Sequence, residues 1–157
     1  MCLITTNCDI LVADSDIVCY KFASVDDDGC LHAPYRPNCV YHRGDLHTEL
    51  NLQKTAYPCN STDNYGYKKL VYYVDVGWHS LKSKEDCVSC ISNANESLLK
   101  KKQYVVLRCI IPKGTKYYYG LYGNKPAYCS EQIIIDVEEQ KSWFKRLKNE
   151  LSKLWEG

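Results

Sequence analysis

The sequence predicts an α+β domain: a compact, mostly antiparallel sheet with one short helix, followed by a C-terminal amphipathic helix. Three observations predict it. Runs rich in β-branched and aromatic residues recur between turn-forming residues. A Ser-x-x-Asp start precedes one helical stretch in mid-chain. Residues 138–157 carry apolar side chains at helical spacing.

Ile17 to Ser24 alternates in part and reads as a strand, and Asp26-Asp27-Asp28-Gly29 supplies a turn that returns the chain as a hairpin through Cys30 and Leu31. The acidic triplet lacks the further spaced oxygen ligands of a calcium loop and reads as a solvated turn. From His32 to Asn64 the prolines at 34, 37 and 58, many polar residues and little periodicity predict a long irregular segment, placed to act as a lid. Lys69 to Trp78 reads as a central strand. Ser83 caps a short helix, with Asp86 three residues on and Ala94, Leu98 and Leu99 as later apolar positions. Tyr104 to Ile111 is a second core strand, stopped by Pro112.

Lys113-Gly114 then turns the chain, so that Ile110–Gly120 and Ser130–Ile135 read as strands joined by a turn and a loop. Tyr117 and Tyr119 share one face and Tyr118 takes the other. The last strand runs from Gln132 to Val137, with Glu131 where it begins. Residues 1–137 are thus expected to form a single domain. In the tail, Phe144, Leu147, Leu151 and Leu154 recur at spacings of three, four and three. This helix is expected either to pack on the domain or to pair with the same helix of a second copy, giving a homo-oligomer. Its basic residues Lys145, Arg146 and Lys148 read as a solvated face or a contact for anionic lipid.

Twenty Lys and Arg against 19 Asp and Glu leave a formal charge of +1. The chain therefore has no global footprint for duplex nucleic acid. No run approaches the ~18 to 20 apolar residues of a transmembrane segment, and Met1 to Asp9 lacks the character of a secretory signal. A soluble, cytoplasmic protein is expected. In that compartment the 10 cysteines read as reduced, packed thiols rather than a disulfide framework. Cys87 and Cys90 form a lone Cys-x-x-Cys without a second pair or histidines at zinc spacing, so packing is preferred to metal or redox use and no metal is expected.

Phosphate loops, a Gly-x-Ser-x-Gly elbow and a His-Glu-x-x-His helix are all missing from the sequence. His79, beside Trp78 and Ser80 at a strand exit, is suited either to proton transfer or to a place at the core edge. Tyr41-His42-Arg43-Gly44, Gly77-Trp78-His79-Ser80-Leu81, Ile111-Pro112-Lys113-Gly114-Thr115 and Ser130-Glu131-Gln132-Ile133-Ile134-Ile135 together resemble the landmarks of the ADP-ribosyltransferase-like fold. The resemblance spans about residues 41 to 135 and implies that Arg43 contacts phosphate, Ser80 matches the first serine of a Ser-Thr-Ser strand, and Glu131 matches a glutamate that polarises ribose. Here, however, Leu81 and Lys82 follow Ser80, and Gln132 and Ile133 follow Glu131, so the second glutamate of Glu-x-Glu is missing. The Gly-Trp-His-Ser and Ile-Pro-Lys-Gly-Thr-x-Tyr-Tyr pattern is also similar to small uncharacterised proteins of bacteriophages and gut bacteria. By analogy of context, some phage proteins of this size sequester nucleotide signals of host defence.

The expected function is therefore a pocket that binds a nucleotide-like ligand without turnover and needs no cofactor. In a phage setting it would act in the host cytosol, against host defence. Trp78 or the Tyr117/Tyr119 face would stack on the ligand, Arg43 or Arg36 would pair with phosphate, and His79, Ser80 and Glu131 would complete the site. The alternative is an ADP-ribosyltransferase-like enzyme that uses NAD, with Glu131 as its stabilising carboxylate. A weaker third reading is a protein-binding inhibitor acting through the tail helix.

Overall fold

In the computed structural model, residues 3–5, 9–34, 36–49, 51–62, 64–95, 103–135 and 152–153 are described. Among them the chain forms one 13-stranded antiparallel sheet that curls into a half-barrel, with a single helix against it. The α+β class expected from the sequence is thereby corrected to a mostly β one. The segment expected to form a C-terminal helix lies outside the described residues except for Ser152 and Lys153, which are helical.

The largest source of the difference is the segment expected to be irregular. After β1 (Leu3–Thr5), β2 (Leu11–Val12) and β3 (Ile17–Val25), it supplies β4 (Leu31–Ala33), β5 (Arg36–Tyr41), β6 (Leu46–Thr48) and β7 (Gln53–Thr62). Its prolines sit where a ladder tolerates a missing N–H. Pro37 lies on β5, which pairs only with β4, and Pro58 lies on β7, which pairs only with β8 (Lys68–Val76) and shifts register after Pro58. Polar composition there reflects sheet edges, not loops.

The remaining elements are β9 (Trp78–Leu81), α1 (Lys84–Asn95), β10 (Gln103–Ile111), β11 (Lys116–Tyr122), β12 (Lys125–Ser130) and β13 (Gln132–Ile134). Spatial order is β6-β13-β10-β3-β9-β12-β11-β1-β8-β7, with β2 beside β11 and β4 beside β3. The strand read as running from Lys69 to Trp78 is thus two strands, and the first lies next to the sheet edge instead of at its centre. Gly77 breaks it. Its φ of 136° is closed to most side chains, and a Cβ there would overlap Leu52 Cδ2 and Cys129 Sγ. The chain can therefore leave β8, cross over, and re-enter mid-sheet as β9.

Period-two alternation sorts β3 between two cores. Cys19 and Ala23 join Leu107, Cys109, Ile111, Tyr128 and Ile133 on one face. Phe22 joins Leu3, Val74, Leu81, Ala127 and Cys129 on the other, where α1 adds Cys87 and Cys90. The helix begins as its sequence predicts, with Ser83 Oγ accepting from Asp86 N at 3.2 Å. The acidic turn after β3 is built around Asp26, whose Oδ1 accepts from Asp28 N and Cys30 N at 3.0 and 2.8 Å while Oδ2 meets His32 Nε2 at 2.8 Å. The His32 hydrogen bond leads the causes that hold the Asp26 carboxyl below its usual range.

Candidate functional site

Strand β3 is flanked very differently on its two sides. Against β10 it pairs continuously from Ile17 with Ile111 to Val25 with Gln103. Against β9 the register holds one pair, Tyr20 with Leu81. Beside that pair lies a cavity of about 370 Å³, bounded by Tyr20, Lys21 and Phe22 on one side and by residues 75–81 on the other. Ala33, Pro34, Cys39, Tyr41 and Glu49 complete its walls. That volume lies within the usual range for small-molecule sites.

Lys21 is the one cation in the otherwise apolar and aromatic centre of β3, and it is only 8% exposed. Its ammonium donates to the His79 carbonyl, lies 5.4 Å from the Tyr41 ring centroid and 6.0 Å from that of Trp78. Burial works to lower its proton affinity, while the hydrogen-bonded Tyr41 phenol and the Cys109 and Cys19 thiols work to raise it; the net shift is upward. Among the described residues no carboxylate comes within ion-pair distance of it.

On β9, Trp78 and Ser80 face the core that contains Tyr41, and His79 and Leu81 face the opposite one. Trp78 is held by Tyr41 and His47, whose ring centroids lie 6.3 and 5.1 Å from its own. Its indole Nε1 is buried without a hydrogen-bond partner, and so is Ser80 Oγ. Burial, the leading cause, pushes the Cys19 thiol up to about 12, and the Ser80 hydroxyl beside it works against that shift. Orphaned buried donors are rare in folded proteins.

His79 is a core-edge residue. Its Nε2–H donates to the Val74 carbonyl at 2.8 Å, and Cys129 Sγ lies 4.0 Å from Nδ1. Burial first, then the nearby Lys21 charge, lowers its pKa to about 4 against the opposing Val74 hydrogen bond. The imidazole is therefore neutral at pH 7 with its proton on Nε2.

Trp78, His79 and Ser80, three of the residues expected at the site, line the cavity. Arg43, Tyr117, Tyr119 and Glu131 do not. Arg43 occupies the exposed turn between β5 and β6, and the Arg36 side chain lies outside the described residues. Tyr117 and Tyr119 share a face, as expected, but both pack on Tyr128, at 5.9 and 5.3 Å. Tyr128 pairs with Ser80 on one side and Tyr119 on the other, and so stands between the tyrosine face and the cavity. Glu131 forms a backbone corner: its N–H donates to Lys116 O at 3.0 Å and its carbonyl accepts from Glu49 N at 2.7 Å. Glu49, not Glu131, is the glutamate at the cavity wall.

Lys21, Glu49 and Asp75 were not singled out by the sequence, and Tyr41 only as part of the Tyr41-His42-Arg43-Gly44 run. Of these only Lys21 carried a signal, a lone charge at an inward position of an alternating strand. Cys87 and Cys90 are packed against the sheet, and burial, the leading cause, pushes the Cys87 thiol up to about 12. Among the described residues no three His, Cys, Asp or Glu side chains converge as a metal site requires, and no helix is long and apolar enough to cross a membrane.

The chain matches no protein-family model, no curated protein and no solved structure.

Proposed function

We propose that the protein is a binding module that holds a nucleotide-like small molecule in the cavity beside the Tyr20–Leu81 pair, without turning it over. The observation that carries this reading is a cavity of about 370 Å³ walled in part by Lys21, Tyr41 and Trp78. Tyr41 and Trp78, which share one face of the sheet, give it an aromatic wall suited to a planar base. Glu49 and Asp75 offer acceptors for amino or hydroxyl groups of the same ligand.

Retention without reaction is supported by the neutral His79 imidazole, whose proton is committed to Val74 O, and by the position of Glu131 away from the cavity wall. The NAD-dependent alternative needs Glu131 beside the ribose and so loses its main support. A protein that binds a nucleotide and returns it unchanged acts as a sink. Sequestration of a host defence signal is the role that the likeness to phage proteins favours.

Mass spectrometry of small molecules released from the purified protein tests this reading. A base-containing ligand is expected to co-purify with the wild type and to be depleted in Trp78→Leu. Incubation with NAD and lysate should release no nicotinamide above background. Nicotinamide release that depends on Glu131 would replace the binding reading with the enzymatic one.

A further inference from the structure

Strand β8 presents a self-complementary face. Its side chains alternate between two sides, and Val74 enters the core to which α1 adds its cysteines. Lys69, Val71, Tyr73 and Asp75 therefore share the opposite side. Read along the strand, that side is cation, apolar, apolar, anion, with the two charged residues exposed. Among the described residues neither Lys69 nor Asp75 forms an ion pair within the chain.

Strand pairing widens the apolar middle. Tyr73 pairs with Ile4, Ile4 with Leu121 and Leu121 with Pro126, so one row crosses β8, β1, β11 and β12 on a single face. Tyr119 stands two residues from Leu121 on that face, with the Lys82 ammonium 5.8 Å from its ring centroid at the rim. Tyr119 is 39% and Leu121 46% exposed, while Ile4, Val71, Tyr73 and Pro126 are half-buried. Apolar residues scattered singly over a surface are ordinary, but a contiguous group framed by opposite charges marks a contact.

We propose that this face joins two copies of the chain, stacked about a two-fold axis with their β8 strands antiparallel. An axis passing over Tyr72 sets Lys69 of one copy against Asp75 of the other, and Val71 against Tyr73. The two-fold repeats each contact, so both ion pairs and both apolar pairs form together. Parallel stacking would oppose like charges and is disfavoured. Three strand spacings of ~4.8 Å and six residues of ~3.3 Å give a patch of about 14 by 20 Å. That is small for a specific interface, so the dimer is expected to be weak, with a dissociation constant in the micromolar range.

Sedimentation velocity over a range of protein concentrations tests the proposal, and it reads association without depending on any ligand of the cavity. The wild type is expected to pass from monomer to dimer, less readily as salt is raised. Leu121→Lys should leave monomer alone, with its fold checked by circular dichroism. Lys69→Asp places like charges together at both ends and should raise the dissociation constant on the order of tenfold; adding Asp75→Lys should restore it. A wild type that stays monomeric at millimolar concentration would overturn the proposal with no variant needed. So would a dimer indifferent to Leu121→Lys and to the charge exchange, since its contact would lie elsewhere.

Discussion

The two flanks of β3 use the same nine residues for opposite ends. Toward β10 the ladder is continuous, and apolar side chains such as Cys19, Ala23, Leu107 and Ile111 close one core. Toward β9 a single register pair holds the strands, and a cation, two orphaned donors and a cavity lie beside it. The contrast teaches where this fold gains stability and where it gives stability up: a zipped flank supports an incomplete one. Sites with unmet polar groups persist only when their surroundings hold them in place.

Four perturbations should separate the flanks. The largest effect is expected at Gly77, which lets β9 enter beside β3. Gly77→Ala adds backbone strain and an overlap with Leu52 and Cys129, and should cost roughly 4 kcal/mol by denaturant titration. A loss below about 1 kcal/mol would mean that the crossing tolerates a side chain. On the zipped flank, Ile111→Ala should cost about 3 kcal/mol through the cavity it leaves, with ligand affinity of the folded fraction unchanged. Reduced affinity there would show that the two flanks are coupled.

Acid is expected to act on the open flank. His79 is held neutral with a pKa near 4 instead of 6.5, so below pH 6.5 the unfolded chain binds a proton that the folded one refuses. That contribution to stability is fully present above pH 6.5 and falls by about 3 kcal/mol as pH drops toward 4, from a shift of about 2.5 units. Comparing pH–stability curves of the wild type and His79→Gln isolates it; identical slopes would dismiss a buried, neutral His79. The smallest effect is expected at Ser80. Ser80→Ala removes a buried hydroxyl engaged only weakly, by the Cys19 thiol, and should change stability by less than about 1 kcal/mol.

Much of the zipped flank was legible. Strands β3, β10 and β11 and the Ser83 cap lie where alternation and capping residues predict them, because each signal is local. The edge strands from Leu31 to Thr62 were not legible, since edge positions favour the polar residues and prolines that also mark loops. Nor was the break at Gly77 legible, because Trp78–Leu81 continues the β pattern and only the crossover in space requires the glycine. At the site, Trp78, His79 and Ser80 were recognisable as an unusual run, whereas Glu49 reaches the cavity through the Glu49–Glu131 backbone contact, which no local pattern encodes. The burial of Lys21 reflects the same limit. Exposed arginines look like phosphate ligands in a sequence, while a lysine within an apolar strand becomes conspicuous only once its burial is known.

The central claim is that the cavity beside β9 is where the ligand sits, and the Trp78 indole N–H reports on it directly. In a nitrogen-15-labelled sample, with the Trp78 resonance assigned through Trp78→Phe, titration with nucleotides should shift that indole resonance as the ligand packs against the ring. Saturable binding that leaves the Trp78 indole unmoved would contradict the account.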